Sequence, residues 1–428
     1  MTTTISQTSV ITDDQRAQAK RAAIATSVGN ALEWFDIIVY ASFAVVISKL
    51  FFPSADGVTG LLLVFGTFGL SYVIRPLGAM VLGNYADTAG RKKALTLTIA
   101  LMAVGTGIMA FAPTAASIGV WAGVVILVSR LLQGFSAGGE FGTSTAFLIE
   151  HAPNHKAFYS SWQVATQGAA MFIASAFGFG LNRFLSQGAL ESWGWRVPFA
   201  FGMLIGPIGL YIRMKVDETP DFVKADRVKS PLLTTFTHHL ELVLSAAAIV
   251  GLATISVYLI LYMPTFAVKD LHLPAYAGFF GGIVAGLVTL VGAPFIGKLA
   301  DRVGCVKVMS VAAVAAIVVG WPLFKILVVF QTVLALTFVE VILGILMAVY
   351  FGPLPALLAQ MFPTNIRSTG MSVAYNIGVT VFGGFAPLIL TWLIARTGSL
   401  LAPSYYYVFV AIVSVVGLTM ARTRHGQR

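Results

Sequence analysis

A short polar segment occurs twice in the chain, as Gly83-Asn84-Tyr85-Ala86-Asp87-Thr88-Ala89-Gly90-Arg91-Lys92-Lys93 and, 214 residues later, as Gly297-Lys298-Leu299-Ala300-Asp301-Arg302-Val303-Gly304. Both copies place an aspartate four residues after a glycine, and a second glycine three residues after that aspartate. A segment that recurs at equivalent positions of two halves is typical of a protein built from an internal repeat. The sequence therefore predicts two related halves.

Long apolar runs surround both copies of this segment. Hydrophobic residues make up 57% of the 428 residues and charged residues only 10%, whereas a soluble domain has roughly 25% charged residues. Each run is close to the ~20 residues that an α-helix needs to cross the hydrocarbon core of a bilayer. We therefore predict an all-α membrane protein with twelve transmembrane helices, at residues 23–50, 58–83, 94–112, 118–150, 157–181, 196–212, 241–266, 276–298, 308–328, 332–360, 370–395 and 403–421.

The longest polar stretch between two predicted helices follows the sixth one and divides the helices into two groups of six. Two six-helix pseudo-repeats of this kind are expected to enclose a central cavity. The predicted organisation is a cytoplasmic N-terminal segment 1–22, an N-terminal six-helix bundle 23–212, a cytoplasmic central loop 213–240, a C-terminal six-helix bundle 241–421 and a cytoplasmic tail 422–428.

The basic residues are distributed unevenly between the two sides of the predicted membrane. The formal net charge is +10, and 19 of the 27 Lys and Arg residues fall in the termini and in the loops on the side of the termini. By the positive-inside rule this asymmetry places both termini in the cytoplasm. The basic excess is thus a signal of topology and not of nucleic-acid binding, and we expect a multi-pass protein of the bacterial inner membrane.

Several other features of the sequence restrict its function. The N-terminus stays polar through Arg21 and lacks the pattern of a signal peptide, so the first helix is expected to remain as an anchor. The single cysteine, Cys305, excludes an intrachain disulfide and a cysteine-based metal site. No nucleophile, metal cluster or cofactor motif is visible in the spans. We expect no enzyme, no metal and no cofactor, with a proton as the coupling ion and sodium as an open alternative.

Two acidic residues lie three positions apart in the first predicted helix. Glu33 and Asp36 share one helical face with Gly29 and Tyr40, and a charge at the bilayer centre costs at least ~2.5–3.5 kcal/mol without a partner or water. Two neighbouring acids in a low dielectric resist ionising together, so one of them is a candidate proton carrier. In the alternative interpretation both acids are paired permanently with arginines and only hold helices together.

The two arginines inside predicted helices are candidates for substrate binding. Arg130 lies about 12 residues into the fourth helix, roughly 18 Å along it, and Gln133 follows on the same face. A guanidinium binds a carboxylate through two parallel hydrogen bonds, so Arg130 suits an anionic substrate and Arg75 suits a second carboxylate. Structural ion pairing is again the alternative. Further candidate substrate contacts are the polar residues Asn30, Tyr40, Gln163, Gln167, Tyr375 and Asn376.

Two more acids lie in predicted helices. Glu140 points to a different side of its helix from Arg130, and the sequence leaves it open between proton coupling and a tie between helices. The small-residue spacing of Gly134, Gly138 and Gly142 predicts close helix packing. Glu340 lies about eight residues into the tenth helix, where we expect it to reach interfacial water, and the sequence leaves open whether it has a function.

Prolines within the predicted helices mark possible hinges. Gly352-Pro353 and Pro355 fall in the tenth helix and Pro264 in the seventh, and a proline removes a backbone hydrogen bond of the helix. Such breaks serve equally well as gating hinges or as inert kinks, and the sequence alone does not distinguish the two.

The repeated polar segment resembles the signature of the major facilitator superfamily. Several further blocks resemble its metabolite:proton symporter family, and the similarity extends from Lys20 to Arg422. These blocks are Gly29-Asn30-Ala31-Leu32-Glu33-Trp34-Phe35-Asp36, Arg75-Pro76-Leu77-Gly78-Ala79, Arg130-Leu131-Leu132-Gln133-Gly134, Gly138-Gly139-Glu140, Trp195-Arg196-Val197-Pro198-Phe199 and Glu218-Thr219-Pro220. Within that family, Phe158-Tyr159-Ser160-Ser161-Trp162-Gln163, Gly180-Leu181-Asn182 and Phe382-Gly383-Gly384 look most like the citrate and tricarballylate branch.

The resemblance implies a secondary active transporter that imports citrate or a related di- or tricarboxylate with protons by alternating access, as a monomer in the lipid bilayer. Glu33, Asp36 and Glu140, the acids singled out above, are the candidate proton-coupling residues for such a transporter. The alternatives are symport of 2-oxoglutarate, shikimate, or a zwitterion such as proline or betaine, although osmosensing members typically carry a long C-terminal extension that is absent after Arg428. The implied conformational latch is formed by Gly83, Asp87, Gly90, Arg91, Asp301 and Arg302.

One position of the second segment departs from the family pattern. Cys305-Val306-Lys307 stands where a basic pair is usual, so the latch of the second half is expected to be the weaker one.

Overall fold

The computed structural model describes residues 13–54, 57–89, 91–150, 155–214, 235, 237, 239–363 and 366–427. Every regular element in these ranges is a helix, which confirms the predicted all-α class. We refer to the described residues up to Met214 as the N-terminal half, and to those from Leu240 onward as the C-terminal half.

The N-terminal half contains eleven α-helices and one π-helical turn, Leu190–Gly194. The α-helices are α1 Asp13–Ser42, α2 Ala44–Phe51, α3 Val58–Val73, α4 Arg75–Ala89, α5 Arg91–Phe111, α6 Ala115–Ile118, α7 Trp121–Ala137, α8 Glu140–Glu150, α9 Lys156–Phe184, α10 Gln187–Ala189 and α11 Arg196–Met214.

The C-terminal half contains eight α-helices and a second π-helical turn, Thr380–Gly384. The α-helices are α12 Leu240–Lys269, α13 Tyr276–Val303, α14 Cys305–Phe330, α15 Val333–Phe351, α16 Leu354–Met361, α17 Arg367–Val379, α18 Ala386–Thr397 and α19 Ala402–Thr423.

Within the described part of the chain, nine helical segments are long and apolar enough to cross a membrane. The bent pair Gly29–Ser42 and Ala44–Phe51 accounts for a tenth. The remaining two predicted spans correspond to α5, whose apolar part Thr96–Phe111 is shorter, and to α11. The observed helices are therefore consistent with the twelve that the hydropathy pattern predicts, and many large apolar side chains such as Val104, Val311 and Leu334 are exposed on the outside, as a lipid-facing surface requires.

Five of the predicted spans are interrupted or bent, and the second is one of them, because α3 ends at Val73 and α4 begins at Arg75. The first bends by 68° between Ser42 and Ala44. The fourth breaks at Gly138-Gly139, and the eleventh contains the π-helical turn Thr380–Gly384. The tenth ends at Gly352 and resumes after Pro353, as the Gly-Pro pair predicts. By contrast, Pro264 lies inside a continuous α12, so it does not break the helix there.

The two halves are joined most closely along α9 and α13. Glycines on both helices allow their backbones to touch: a Cβ on Gly168 would lie 2.5 Å from the Leu290 nitrogen, and one on Gly286 would lie 2.6 Å from the Phe172 nitrogen. Small residues at a helix crossing let the backbones approach in this way. We call the side of the molecule where α4 and α13 end the motif side, and the opposite side the far side.

Candidate functional site

The most deeply buried ion pair in the described part of the chain joins α1 to α7. Arg130 Nη2 lies 2.5 Å from Asp36 Oδ2, and the two side chains are 2% and 0% exposed. A second hydrogen bond to this carboxylate comes from α5, where Thr106 Oγ1 lies 2.9 Å from Oδ1. Gln133 Nε2 donates to the same threonine hydroxyl at 3.1 Å. Asp36 is thus held by both the arginine and a hydroxyl.

Tyr40 covers the other side of this pair. The Arg130 guanidinium lies 4.2 Å from the centre of the Tyr40 ring, a cation–π geometry that favours a charged arginine. The Tyr40 hydroxyl in turn contacts Thr67 Oγ1 at 2.6 Å and donates to the Val64 carbonyl at 3.2 Å. One turn of α1 therefore carries both the acid and the aromatic ring that contact Arg130.

A second pair lies closer to the motif side. Arg75 Nη2 is 3.2 Å from Glu33 Oε1, with side chains 5% and 11% exposed. The Arg75 guanidinium lies 4.1 Å from the centre of the Tyr72 ring. The two acids of α1 therefore each contact a separate arginine. The sequence left open whether both acids pair with arginines or one of them carries a proton. In this conformation the arginines balance both negative charges.

Glycines set the distance between the helices that carry the two arginines. A Cβ on Gly134 would lie 1.9 Å from the Ser71 carbonyl oxygen, and one on Gly138 would lie 2.0 Å from the Arg75 carbonyl oxygen. On the opposing helix, a Cβ on Gly78 would lie 1.9 Å from the Phe135 carbonyl oxygen. The close packing predicted from Gly134 and Gly138 is confirmed, and it brings α7 against α3 and α4.

Four polar atoms of the candidate substrate-binding residues are buried and have no hydrogen-bond partner among the described residues. They are Arg75 Nε, Arg130 Nε, Gln133 Oε1 and Gln167 Oε1. Buried polar groups in proteins are nearly always satisfied, so these exceptions are informative. The two arginine nitrogens are hydrogen-bond donors and the two glutamine oxygens are acceptors. This combination suits a molecule that bears carboxylates and a hydroxyl or acid proton.

The other amides predicted to contact substrate instead connect helices. Asn30 Nδ2 donates to the Gln163 carbonyl at 3.0 Å, and the Gln163 side chain bonds to Thr145 and Ser144 on α8 at 3.0 and 3.1 Å. Asn376 Nδ2 donates to the Gly138 carbonyl at 3.1 Å, where α7 ends. The hydrogen bonds of these amides are made to other groups of the protein.

Aromatic residues close the interface between the halves at the level of the site. Tyr375 of α17 stacks on Phe141 of α8, with ring centres 3.6 Å apart. The hydroxyl of Tyr72 is hydrogen-bonded to that of Tyr258 on α12, and Tyr258 also packs on Trp34, with ring centres 6.5 Å apart. Tyr375 was a sequence candidate. Tyr258 was not, because a tyrosine in an apolar run carries no local signal.

The π-helical turn Thr380–Gly384 holds this tyrosine pair. A Cβ on Gly384 would lie 2.6 Å from Tyr72 Cγ, and one on Gly383 would lie 2.6 Å from Tyr258 Cε2. Thr380 Oγ1 donates to the Tyr72 carbonyl at 3.1 Å. The Phe382-Gly383-Gly384 block singled out in the sequence thus makes room for both rings.

The second copy of the repeated segment contacts the opposite half. Asp301 accepts hydrogen bonds from the backbone nitrogens of Ala157 and Phe158 at 2.9 and 3.0 Å, at the N-terminus of α9, where a negative charge is favourable. One turn earlier, a Cβ on Gly297 would lie 2.6 Å from the Ala157 carbonyl oxygen. The glycine lets α13 approach, and the aspartate four residues later caps the helix it meets. Arg302, the next residue, is exposed.

The corresponding residues of the first copy are only partly described. Gly83 lies in α4, and Arg91 begins α5. Gly90 and the side chains of Asp87 and Arg91 lie outside the described residues, so their predicted contacts remain predictions.

The last two acids are both buried. Glu140 is 6% exposed and lies in the first turn of α8. A negative charge is favourable there, because the N-terminal end of the helix dipole is positive. Glu340 is 0% exposed. The expectation that Glu340 reaches interfacial water is therefore wrong, because α15 turns this residue toward α13 and away from lipid.

Comparison with known proteins gives a consistent result. The family model of the Major Facilitator Superfamily matches residues 27–375 and 284–426. The chain is 36% identical to a citrate-proton symporter of Klebsiella pneumoniae, covering 92% of this chain and 90% of the relative. It is 32% identical to a citrate-proton symporter of Salmonella typhi, covering 96% and 95%. The proline/betaine transporter of Escherichia coli K12 is 31% identical, with 96% and 85% covered.

Solved structures support the fold. A crystal structure of a D-xylose-proton symporter superimposes with a TM-score of 0.72 at 16% identity, covering 94% of this chain and 97% of the other. The xylose transporter XylE of E. coli, in a partially occluded inward-open conformation, gives 0.75 at 13% identity, with 95% and 97% covered. At such low identity the likeness concerns the arrangement of helices and not the substrate.

Proposed function

Because the chain belongs to the major facilitator superfamily, we propose that it imports a small organic anion, citrate or a related di- or tricarboxylate, together with protons, by alternating access. The observation that carries the proposal is the buried pair of arginines with unsatisfied nitrogen atoms, Arg75 and Arg130. The likeness to two citrate-proton symporters supports the substrate class.

Competition for an arginine supplies a way to couple protons to the anion. Glu33, Asp36, Arg75 and Arg130 together carry no net charge, so an added carboxylate leaves the buried site negative. One guanidinium does not neutralise two carboxylates in a low dielectric, and the weaker-bound one takes a proton. When a substrate carboxylate binds Arg130, Asp36 is therefore protonated. It keeps its hydrogen bond with Thr106, because both the carboxyl group and the threonine hydroxyl can donate.

The membrane potential requires such coupling. Importing an anion into a negative interior costs ~2.3 kcal/mol per charge per 100 mV, which is ~4.6 kcal/mol for a divalent anion. A single co-transported proton leaves a di- or tricarboxylate with net negative charge. We therefore propose more than one proton-binding residue, with Asp36 and Glu33 as the first candidates and Glu140 as a third.

The contacts between the halves indicate which conformational state of the alternating-access cycle the structure represents. On the motif side of the arginines, Asn376 bonds to Gly138 and Asp301 caps α9. On the far side, Phe65 packs on Tyr262 with ring centres 6.0 Å apart. Contacts on both sides of the site correspond to an occluded state. In alternating access one set separates at a time, with Asp301 acting as a latch and Arg302 and the first copy of the segment assisting it.

We propose that the motif side faces the cytoplasm. The basic residues of the loops are concentrated there, as the positive-inside rule requires of the cytoplasmic face. Both termini then lie in the cytoplasm and the protein is a multi-pass monomer of a bacterial inner membrane. The domain boundaries 1–22, 23–212, 213–240, 241–421 and 422–428 follow from this topology.

A zwitterionic substrate is the second candidate. The E. coli proline/betaine transporter is 31% identical over nearly the same region, and the tyrosines at positions 40, 72 and 258 offer ring faces that suit a quaternary ammonium group. Two of these rings are already covered by cations, because Arg75 lies over Tyr72 and Arg130 lies over Tyr40. The geometry thus favours an anion. Transport of 2-oxoglutarate or shikimate remains compatible with the same two arginines.

Uptake by proteoliposomes tests the substrate class. Purified protein is reconstituted and labelled citrate, tricarballylate, succinate, 2-oxoglutarate, shikimate and proline are offered under an imposed pH gradient or an imposed sodium gradient. We expect citrate or tricarballylate to accumulate with the pH gradient. Arg130→Lys keeps the charge but loses the planar fork, and we expect at least about a tenfold loss of uptake efficiency. Accumulation of proline alone would overturn the proposal.

A further inference from the structure

Glu340 is an acid that the coupling scheme above does not use. It lies seven residues after Val333, about 10 Å along α15 from its periplasmic end. The side chain is 0% exposed, and neither carboxylate oxygen has a hydrogen-bond partner among the described residues. A carboxylate ion in that position would lack both water and a counter-ion, so the group is neutral in the occluded state.

A glycine of α13 creates the space that Glu340 occupies. A Cβ on Gly281 would lie 1.5 Å from Glu340 Oε2 and 2.4 Å from its Cδ. Any side chain at this position would displace the carboxyl group. The close approach continues four residues away on each helix, where a Cβ on Gly344 would lie 3.0 Å from the Ala285 Cα. The acid is therefore clamped between two tightly packed helices.

The next residue of α13 contacts the other half of the protein. A Cβ on Gly282 would lie 2.6 Å from Ser175 Oγ on α9. Two residues before Gly281, the Phe279 ring fills the place of a side chain on Gly178, whose Cβ would lie 2.1 Å from Phe279 Cδ1. The segment of α13 that seals Glu340 is thus the segment that lies against α9, and separation of the halves loosens both contacts together.

None of the charged and titratable groups that the structure describes on the surrounding helices is a hydrogen-bond partner of Glu340. Lys325 of α14 is exposed, and Tyr276 of α13 lies 5.9 Å from the Arg183 guanidinium of α9. The hydroxyl of Tyr262 on α12 accepts a hydrogen bond from Thr391. The other charged and titratable residues of these helices are Lys156 and Tyr159 on α9, Glu241, Tyr258 and Lys269 on α12, Lys298, Asp301 and Arg302 on α13, Cys305 and Lys307 on α14, and Tyr350 on α15.

We propose that Glu340 carries one of the protons that accompany the substrate. Its carboxylate oxygen binds a proton from the periplasmic side, which allows α13 and α15 to close around a neutral group. Loading takes place when the halves separate on the periplasmic side, because α13 then moves relative to α9 and water reaches the carboxyl group. In the state open to the cytoplasm the O–H bond breaks, and the proton is released to the cytoplasm. The inference rests on the proposed proton symport and adds a binding site in the C-terminal half.

The test measures the number of protons moved per citrate. Full-length protein in proteoliposomes is held with a fixed citrate gradient, and the opposing pH gradient that stops net flux gives the ratio. Glu340→Gln replaces the acid by a neutral group of the same shape. We expect this variant to exchange citrate at equal concentrations and to move one proton fewer per citrate than the wild type. The control Glu191→Gln removes a partly exposed acid that pairs with Lys49, and should keep the wild-type ratio.

The outcomes separate this inference from the proposed function. An unchanged ratio in Glu340→Gln, with coupling intact in the wild type, would overturn the role of Glu340 alone. Absence of citrate-driven proton movement in the wild type would remove both proposals. If Glu340→Gln does not assemble, Glu340→Asp serves instead, because a shorter acid in the same space should shift the pH at half-maximal uptake. An unshifted pH profile in that variant would also contradict the proposal.

Discussion

Asp36 and Arg130 lie on different helices and form a fully buried ion pair, with 2.5 Å between Oδ2 and Nη2. Such a pair is costly to bury and contributes little net stability, whereas loss of one partner alone is strongly destabilising. Its position beside unsatisfied arginine and glutamine atoms makes exchange of Asp36 for a substrate carboxylate the simplest way to use it. This exchange predicts how pH affects binding.

The first prediction concerns the affinity for citrate as a function of pH. If a proton on Asp36 releases Arg130, citrate binds more weakly as the pH rises, and Asp36→Asn reduces this dependence because asparagine resembles the protonated acid. Titration calorimetry of the detergent-solubilised protein between pH 5 and 8 measures it. Ser192→Ala, at an exposed position of the π-helical turn Leu190–Gly194, is the control. An Asp36→Asn variant with the full wild-type pH dependence would contradict the exchange.

The second prediction concerns the hydrogen bond between Tyr72 and Tyr258. Either Tyr72→Phe or Tyr258→Phe leaves one buried hydroxyl without its partner, which costs about 1–3 kcal/mol of unfolding free energy. The double variant removes both hydroxyls, so its loss should be smaller than the sum of the two single losses. Thermal unfolding in detergent completes the cycle. Strictly additive losses would show that the two hydroxyls act independently.

Replacement of Asp301 tests the latch. Removal of a helix cap costs about 0.5–2 kcal/mol, so Asp301→Ala should increase the population open to the cytoplasm about 2- to 30-fold. Ser161 is buried close to Gly297 in this contact, so Ser161→Cys in a Cys305→Ser background reports the opening by its rate of maleimide labelling. Lys325→Ala, at an exposed position of α14, is the control. Equal labelling rates in the Asp301→Ala and control variants would exclude the latch.

The fourth prediction is a pH effect on stability from the loop after α12. Burial raises the pKa of Asp270 to about 6 from an ordinary value of 3.8, against the opposing effect of Lys269 and His272. The raised pKa means that protonated Asp270 favours the folded state. This contribution to the free energy of unfolding is fully present below about pH 4 and is lost as the pH rises through about 6. Asp270→Asn should remove this loss, of about 1 kcal/mol after allowance for solvent screening. Unfolding temperatures between pH 4 and 8 measure it.

A second loop acid provides the control of opposite sign. Hydrogen bonds from Gln187 and Lys49 lower the pKa of Glu191, so its contribution is present above its unfolded pKa and is lost as the pH falls. Glu191→Gln should therefore change only the acidic end of the stability profile. A profile that is the same in wild type and Asp270→Asn would contradict the assignment to Asp270.

Much of the fold follows from hydropathy, because lipid requires every span to be a helix of sufficient length. The break at Gly352-Pro353 was predictable for the same reason that proline breaks any helix. The 68° bend between Ser42 and Ala44 was not, since neither glycine nor proline occurs there and the bend depends on packing. The close approach at Gly134 and Gly138 was predicted, but the helix end at Gly138 was not.

The charged members of the site were predictable, and so were some of its polar members: Tyr40, Gln133, Gln167 and Tyr375. Charges in apolar runs are conspicuous, so Asp36, Arg75 and Arg130 could be identified, while their pairing depends on how α1, α4 and α7 meet. Thr106 and Tyr258 are ordinary residues of apolar helices until folding places them beside Asp36 and Tyr72. The position of Glu340 was misjudged, because its depth along the helix was clear from the sequence but the direction of its side chain was not.

Proton movement on addition of citrate tests the central claim most directly. Proteoliposomes that contain the wild-type protein are suspended in weakly buffered medium, and the external pH is followed while citrate is added without sodium. We predict that the medium becomes alkaline with citrate and not with proline, and that Asp36→Asn takes up fewer protons per citrate. Citrate uptake that leaves the pH unchanged, or that proceeds only with a sodium gradient, would contradict proton-coupled import.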